Sequence, residues 1–314
     1  MDYFWLILGL ITLVVGGEFL VKGAVSIALK FNISTLVVGM TIVSFGTSAP
    51  ELIVSLKAAL KGHPDLAIGN IMGSNIANIS LVLGITALIF PIAVNRNSLR
   101  IDWPMMMIAS TLFTVFIWDL KIKMWEGAIL FSILIGFGFW LIQKSRKEGM
   151  KTAAESDEFL EEKSESNILL NLLFIAMGCA GLAYGADWLV TGAVGIAETF
   201  GVSERIIGLT VVAFGTSVPE LVTSSVAAFR KETDISIGNL IGSNIFNIYG
   251  ILGITAMVTE IPINPDILSS DLLWMLGISL LVFPIMLIKH KVMRTEGFLL
   301  FAFYVIYIYY SLVG

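Results

Sequence analysis

Two acidic residues, Glu51 and Glu220, lie inside long apolar stretches of the chain. An ionised carboxylate at membrane depth is costly unless a counter-charge or a bound cation compensates for it. Neither stretch offers a lysine or arginine next to its glutamate. Two facing carboxylates in a low-dielectric environment either share a proton or bind a cation, and Ca²⁺ takes about six to eight oxygen ligands. The two glutamates therefore predict a cation site.

The residues just before the first glutamate add neutral oxygen atoms. Thr47 and Ser48 precede Glu51 by four and three residues, which places all three side chains on one helical face. Pro50 has no amide hydrogen, so the carbonyl of Gly46 loses its helical partner. Freed carbonyls at membrane depth are tolerated where they line a cavity, and there they can act as ligands. We therefore expect a kinked helix that offers oxygen atoms of both kinds.

A second polar motif follows each glutamate. Its Asn and Ser residues are spaced by four, which forms one polar stripe per helix: Asn70, Ser74 and Asn78 in the first, Asn239, Ser243 and Asn247 in the second. The glycines of this motif, such as Gly69 and Gly73, have the small-xxx-small spacing that lets membrane helices pack closely. Close packing explains the glycines, but it does not require amides at both ends of the stripe.

Both motifs occur twice, which makes the chain a duplicated unit. Gly46–Glu51 recurs as Gly215–Glu220, and Gly69–Asn78 recurs as Gly238–Asn247, always at an offset of 169 residues. A constant offset over both motifs indicates two copies of one fold unit. The copies extend over residues 39–84 and 208–253.

The composition is that of a membrane protein. Of the 314 residues, 57% are hydrophobic and 14% are charged, with a mean hydropathy of +0.90, whereas soluble domains carry about 25% charged residues. Apolar runs long enough for a bilayer predict an all-α polytopic fold with ten spans near 3–22, 36–60, 66–91, 102–119, 124–143, 167–191, 205–229, 235–258, 271–289 and 296–313.

The domain organisation follows from one hydrophilic segment. Residues 144–166 separate a first five-helix repeat, 1–143, from a second, 167–314. The acidic half of this linker lacks EF-hand spacing, so a solvated loop is favoured over a Ca²⁺ sensor. An odd number of spans per repeat makes the second copy enter the membrane inverted, as in secondary transporters. Assigning the loops alternately to the two sides puts 14 of the Lys and Arg residues on one side and 5 on the other. This predicts both termini outside and a cytoplasmic linker.

The paired motifs resemble the two α-repeats of the sodium/calcium exchanger family, within the cation/Ca²⁺ exchanger superfamily, and look closest to its compact prokaryotic members. The resemblance covers nearly the whole chain and implies two inverted five-helix halves whose second, third, seventh and eighth helices surround the ions. It implies that Glu51 and Glu220 ligate Ca²⁺ with the carbonyls of Thr47 and Thr216. It also implies that Na⁺ and the centre of the site are served by Ser48, Ser217, Ser74, Ser243, the carbonyls of Ser44 and Ala213, and the side chains of Asn78 and Asn247.

One position narrows the expected transport class. Potassium-dependent relatives resemble this pattern but carry Asp where Asn247 stands, so we expect K⁺-independent, electrogenic Na⁺/Ca²⁺ antiport by alternating access. A Ca²⁺/H⁺ antiporter is the main alternative, because protons could replace Na⁺ on the two glutamates. A cation channel is less favoured. An intramembrane hydrolase using Ser48 or Ser217 is disfavoured, since no histidine lies in either motif.

Several smaller expectations complete the prediction. The protein is not an enzyme, has no cofactor beyond its transported ions, and has no nucleic-acid partner. We expect a monomer in the lipid bilayer of the plasma membrane. Glu18 and Asp187 occupy equivalent places in the first helix of each half. They either line an ion path or pair with Lys22 and other nearby polar groups, and the second role is favoured.

Overall fold

The computed structural model describes residues 1–155, 167–201, 213–265 and 271–313; most of the acidic part of the predicted linker lies outside these ranges. The helices are α1 (Asp2–Phe31), α2 (Thr35–Thr47), α3 (Ala49–Leu60), α4 (Pro64–Ile89), α5 (Ser98–Asp119), α6 (Met124–Glu155), α7 (Ile168–Thr199), α8 (Ala213–Thr216), α9 (Val218–Phe229), α10 (Thr233–Val258), α11 (Asp271–Lys289) and α12 (Arg294–Val313). Within the described residues, seven helices are long and apolar enough to cross a membrane, or eight if the bent pair α2 and α3 forms one span. The count of ten spans stays a prediction.

Some helices run beyond the predicted spans. α1 was predicted over 3–22 but continues to Phe31, where Asn32 takes the left-handed conformation (φ 53°) and ends it. α6 continues through the start of the predicted linker to Glu155, and α7 runs to Thr199. Hydropathy marks only the part of a helix that suits lipid, whereas Ala, Glu and Lys continue a helix in water equally well.

In the part of the chain that the structure describes, four two-residue strands, which the all-α prediction did not include, join the two halves. They are β1 (Ile92–Ala93), β2 (Lys121–Ile122), β3 (Ile261–Pro262) and β4 (Lys291–Val292). β1 pairs antiparallel with β4, and β2 pairs antiparallel with β3, so each small sheet takes one strand from each half. Strands of two residues are too short to produce an alternating pattern in the sequence.

Two helices form the centre of the protein. In the most apolar window of α4 and of α10, 83% of the residues are buried, whereas the other spanning helices bury 22–33% of theirs. A helix that is buried on all sides belongs to the core, and one with a single buried face is left to contact lipid. The helices that carry the Asn-rich motif are therefore enclosed by protein.

The helices α1 and α7 lie antiparallel and in close contact along their length. Glycines spaced by seven residues line the contact: Gly9, Gly16 and Gly23 on α1, and Gly178, Gly185 and Gly192 on α7. A Cβ atom at Gly16 would lie 2.9 Å from the amide nitrogen of Leu182, and one at Gly178 would lie 2.6 Å from that of Leu20. Small residues at these positions allow the two backbones to approach.

The α1–α7 pair covers α9 of the second half but leaves the equivalent face of α3 in the first half exposed. α1 packs on α9, where Gly17 faces Val222 and Thr223, and Glu18 forms an ion pair with Arg230. Thr223 is 0% exposed, but Val54, the residue of α3 that matches it at the 169-residue offset, is 43% exposed. One half of the core is therefore covered along this face while the other is open. The predicted pairing of Glu18 with polar groups is borne out, although with Arg230 and not with Lys22.

Candidate functional site

Both glutamate motifs interrupt their helices, as the prolines predicted. α2 and α3 are bent by 47° at a break, where Ser48 has φ −89° and ψ 6°. The second copy breaks in the same way at Ser217, with φ −88° and ψ 0°. Pro50 and Pro219 lie in the first turn of the helix that follows each break. Proline suits this position because its missing amide hydrogen would have no partner there.

The breaks place each glutamate at the start of a helix. Glu51 lies in the first turn of α3 and Glu220 in the first turn of α9. Each is 1% exposed, and no ion pair between described residues includes either of them. The positive end of a helix dipole stabilises a nearby carboxylate by about 0.3–1 kcal/mol at exposed sites and up to about 2 when partly buried. This compensation is smaller than the cost of burying a charge, so the carboxylates still favour a cation.

The structure brings the two predicted motifs into direct contact. Ser48 Oγ of the first half donates a hydrogen bond to Glu220 Oε1 of the second half at 2.9 Å. The two copies of the motif thus meet at this hydrogen bond.

Buried oxygen atoms without a hydrogen-bond partner among the described residues mark the same region. Six of them belong to residues predicted for the site: Glu51 Oε2, Glu220 Oε2, Asn78 Oδ1, Asn247 Oδ1, Ser217 Oγ and Ser243 Oγ. Leaving one buried acceptor unsatisfied costs about 1–3 kcal/mol. The helices that carry these atoms pack together, α3 against α10 and α9 against α4. The six unsatisfied oxygens therefore lie on helices that pack against one another.

The two asparagines begin segments with π-helical hydrogen bonding. In α4 this segment is Asn78–Val82, and in α10 it is Asn247–Leu252. A π-turn inserts an extra residue into a helix and is frequent at functional sites. The equivalent placement in both halves supports the prediction that these amides line the centre.

The remaining predicted residues lie in α2, α4 and α8. Thr47 Oγ1 lies 3.2 Å from Asn239 Oδ1 and 3.3 Å from the Ser44 carbonyl oxygen, so these two acceptors share its single hydroxyl hydrogen. The Ser44 carbonyl also accepts from the Ser48 amide at 2.9 Å. The Ser44 carbonyl, which we predict to be a Na⁺ ligand, is therefore already a hydrogen-bond acceptor for residues of its own helix, just before the break. The last three residues are Ser74, buried in α4, and Thr216 and Ala213, which end and begin α8.

Sequence reasoning missed the partners of the polar stripe. Asn70 Nδ2 donates to Ser55 Oγ at 2.9 Å, and Asn239 Nδ2 donates to Ser224 Oγ at 3.0 Å. Ser55 and Ser224 are related by the 169-residue offset, which was the available signal. Both bonds join the glutamate-bearing helix to the Asn-rich helix within one half, so they fix the two motifs relative to each other.

Comparison with known proteins agrees with this geometry. The sequence model of the family "Sodium/calcium exchanger protein" matches residues 1–143 and 170–313. The chain is 36% identical to the putative antiporter CaxA of Alkalimonas amylolytica, over 97% of each chain. It is 31% identical to the sodium/calcium exchanger MaX1 of Methanosarcina acetivorans, over 98% of this chain and 97% of the relative.

A solved structure has the same fold. The sodium-calcium exchanger NCX_Mj, soaked with 2.5 mM Na⁺ and 0.1 mM Ca²⁺, superposes with a TM-score of 0.82 at 32% identity, covering 98% of this chain and 97% of the other. The match includes both halves, so it extends to the paired motifs. This chain is a multi-pass membrane transporter, not an enzyme, and it belongs to the sodium/calcium exchanger protein family.

Proposed function

We propose that this cation/Ca²⁺ exchanger moves Ca²⁺ across the plasma membrane in exchange for Na⁺, by alternating access and without K⁺. The observation that carries the proposal is the pair of buried carboxylates, Glu51 and Glu220, each with an unpartnered oxygen. Their two negative charges balance one Ca²⁺ ion. The carbonyls of Thr47 and Thr216 would complete its oxygen shell.

The site suits a transported ion better than a permanently bound one. Among the described residues, no group of three or more His, Cys, Asp or Glu side chains could hold a metal. Fewer charged ligands give weaker Ca²⁺ binding. Two carboxylates with neutral oxygens would therefore bind Ca²⁺ and still release it within a transport cycle.

Na⁺ would occupy the same region and compete for the same carboxylates. The neutral oxygens proposed for it are those of Ser48, Ser217, Ser74 and Ser243, the carbonyls of Ser44 and Ala213, and the amides of Asn78 and Asn247. Exchange is electrogenic when more than two Na⁺ ions move per Ca²⁺. Each net charge then contributes about 2.3 kcal/mol per 100 mV of membrane potential.

We propose the predicted membrane arrangement for this cycle: ten helices in two inverted five-helix repeats, both termini outside, and a cytoplasmic linker. The antiparallel course of α1 and α7, the first helices of the two halves, supports the inversion. The unequal cover of α9 and α3 supports alternating access, because one face of the core is closed while the matching face is open. We propose a monomer as the working unit.

Proton coupling is the second candidate, and the paired glutamates themselves favour it, since each could carry a proton in place of Na⁺.

The decisive experiment is ⁴⁵Ca²⁺ uptake into proteoliposomes. One batch is loaded with Na⁺ and diluted into Na⁺-free buffer at constant pH, a second carries only a pH gradient, and a third carries neither. Uptake that requires internal Na⁺ supports the proposal. Uptake with the pH gradient alone indicates Ca²⁺/H⁺ exchange, and uptake without any gradient indicates a channel.

The site assignment has its own test. Glu51→Gln keeps the size of the side chain but removes its charge, and we expect it to abolish Na⁺-driven Ca²⁺ uptake while the protein remains folded in a melting assay. Glu260→Gln is the matched control, because Glu260 pairs with Lys121 at the protein surface, away from both motifs. Normal uptake by Glu51→Gln would rule out Glu51 as a Ca²⁺ ligand.

A further inference from the structure

Four buried asparagines meet where α4 packs against α10. They are Asn75 and Asn78 from the first half and Asn244 and Asn247 from the second, and each is 1–2% exposed. The 169-residue offset relates Asn75 to Asn244 and Asn78 to Asn247. The pair Asn78 and Asn247 belongs to the predicted site, whereas the pair Asn75 and Asn244 does not.

The four amides bond in a crossed pattern. Asn78 Nδ2 donates to Asn244 Oδ1 at 3.1 Å, and Asn247 Nδ2 donates to Asn75 Oδ1 at 3.2 Å. Each asparagine of the site is therefore held by an asparagine of the opposite half. These bonds use the amino group of each site asparagine, whose Oδ1 stays buried without a partner among the described residues.

Two methionines determine the orientation of the Asn75 and Asn244 side chains, which we call the outer amides. Asn75 Nδ2 donates to Met275 Sδ at 3.7 Å, and Asn244 Nδ2 donates to Met106 Sδ at 3.5 Å and to the Asn75 carbonyl at 3.3 Å. A thioether sulfur can accept a hydrogen bond but cannot donate one. The amino end of each outer amide therefore faces sulfur, which leaves its oxygen to face the site asparagine. Met106 and Met275 are also related by the 169-residue offset.

The orientation of the site amides decides whether they can bind a cation. An amide oxygen is a ligand for Na⁺ and Ca²⁺, whereas the amino end of the same group carries only donors. An amide rotated by half a turn would present hydrogen atoms to the ion. Polar partners beyond the direct ligands commonly fix such orientations at metal sites.

We propose that Asn75 and Asn244 are positioning residues that hold Asn247 and Asn78, respectively, with their oxygens toward the transported cation. This deepens the proposed function and rests on it, because it takes Asn78 and Asn247 as cation ligands. The methionines Met106 and Met275 support the outer amides from behind.

The test exploits the symmetry of a carboxylate, which presents oxygen at both ends. The half-maximal Ca²⁺ concentration for Na⁺-driven uptake is measured in proteoliposomes for wild type, Asn244→Leu, Asn78→Asp and the double variant. Loss of an outer partner of a metal ligand typically weakens metal affinity about 10–100-fold, so we expect Asn244→Leu to raise the half-maximal concentration by that factor. In the Asn78→Asp background the carboxylate presents an oxygen whichever way it turns and has no hydrogen to donate to Asn244 Oδ1, so Asn244→Leu should not raise the half-maximal concentration there.

Asn75→Leu is the matched control in the same background. It acts through Asn247, so its effect should persist in full when Asn78 is replaced by Asp. An equal loss for Asn244→Leu in both backgrounds would overturn the proposal, because a purely structural role does not depend on the residue at position 78. Should Asn244→Leu fail to fold, the mirror pair, Asn75→Leu with Asn247→Asp, gives the same comparison.

The outcome can be separated from that of the proposed function. A wild-type chain that takes up Ca²⁺ under a pH gradient and not under a Na⁺ gradient contradicts Na⁺ coupling, and the same variants are then compared under the pH gradient. A wild-type chain without uptake under either gradient contradicts exchange itself, and calorimetric Ca²⁺ binding by the same variants then tests the positioning of Asn78.

Discussion

Ser48 and Ser217 occupy equivalent places in the two motifs but differ in hydrogen bonding, and this difference gives a testable prediction. Ser48 Oγ donates to Glu220 Oε1 at 2.9 Å, whereas Ser217 Oγ is buried without a partner among the described residues. Both serines are 0–1% exposed and occupy equivalent places in the two halves. Ser48→Ala should therefore destabilise the ion-free protein, and Ser217→Ala should not.

The expected size follows from the hydrogen bond that is lost. A hydrogen bond to a charged group contributes about 1.5–3 kcal/mol to the free energy of unfolding. The melting temperature shifts by about 2–4 °C per kcal/mol for chains of 150–250 residues and by less for longer chains, so Ser48→Ala in this chain of 314 residues should lower it by a few degrees. Ser217→Ala removes an unsatisfied buried hydroxyl, so the melting temperature should stay the same or rise.

The assay is thermal unfolding of detergent-purified protein, first in choline with a chelator and then with added Na⁺. A ligand that binds only the folded state raises its stability according to the logarithm of concentration over Kd. Both serines are proposed Na⁺ ligands, so both variants should lose part of the Na⁺-induced rise in melting temperature.

Two results would refute this reasoning. Equal melting temperatures of Ser48→Ala and Ser217→Ala without ions would mean that the bond from Ser48 to Glu220 does not stabilise this conformation. A full Na⁺-induced rise in either variant would mean that the replaced hydroxyl is not a Na⁺ ligand.

Two further predictions concern glycines at close contacts. Gly185→Ala would place a Cβ 2.9 Å from Leu13 Cγ in the α1–α7 contact, so we expect a loss of about 1–3 kcal/mol; Gly138→Ala, with no atom within 4 Å, is the control and should not lower the melting temperature. Gly46→Ala would place a Cβ 2.6 Å from Cys179 Sγ, so it should slow Ca²⁺ uptake, and Cys179→Ala should restore it.

Each of these has a contradicting outcome. If Gly185→Ala melts at the same temperature as Gly138→Ala, the α1–α7 contact is looser than the structure describes. If the double variant with Cys179→Ala transports no faster than Gly46→Ala alone, the loss does not come from the clash with the thiol.

Much of the site could be predicted because its chemistry is encoded locally. Glu51 and Glu220 stand out as charges in apolar sequence, and Pro50 predicts the helix break that the structure contains. The roles of Asn75 and Asn244 could not be found in the same way. Their orientation depends on hydrogen bonds to methionines of helices that are distant in sequence. The residues next to an Asn in the sequence do not show which groups its amide will contact in the fold.

The difference between Ser48 and Ser217 could not be predicted for another physical reason. The two halves carry nearly the same motif, so any inference from sequence applies equally to both. The folded chain is in one conformation, in which α1 covers α9 and the equivalent face of α3 is open. The sequence specifies what the halves share, and the conformation distinguishes them.

The glycine-lined contact between α1 and α7 has a mechanical consequence. The two backbones lie so close at Gly16 and Gly178 that the helices can hardly slide past each other without colliding. We therefore expect them to move as one rigid piece, which packs on α9 in this conformation. In the alternating access proposed above, a displacement of this piece would expose one entrance and shield the opposite one. Both entrances could be open at once, and ions could leak through, only if α1 and α7 separated. A single moving unit would therefore keep the movement of the exchanged ions coupled.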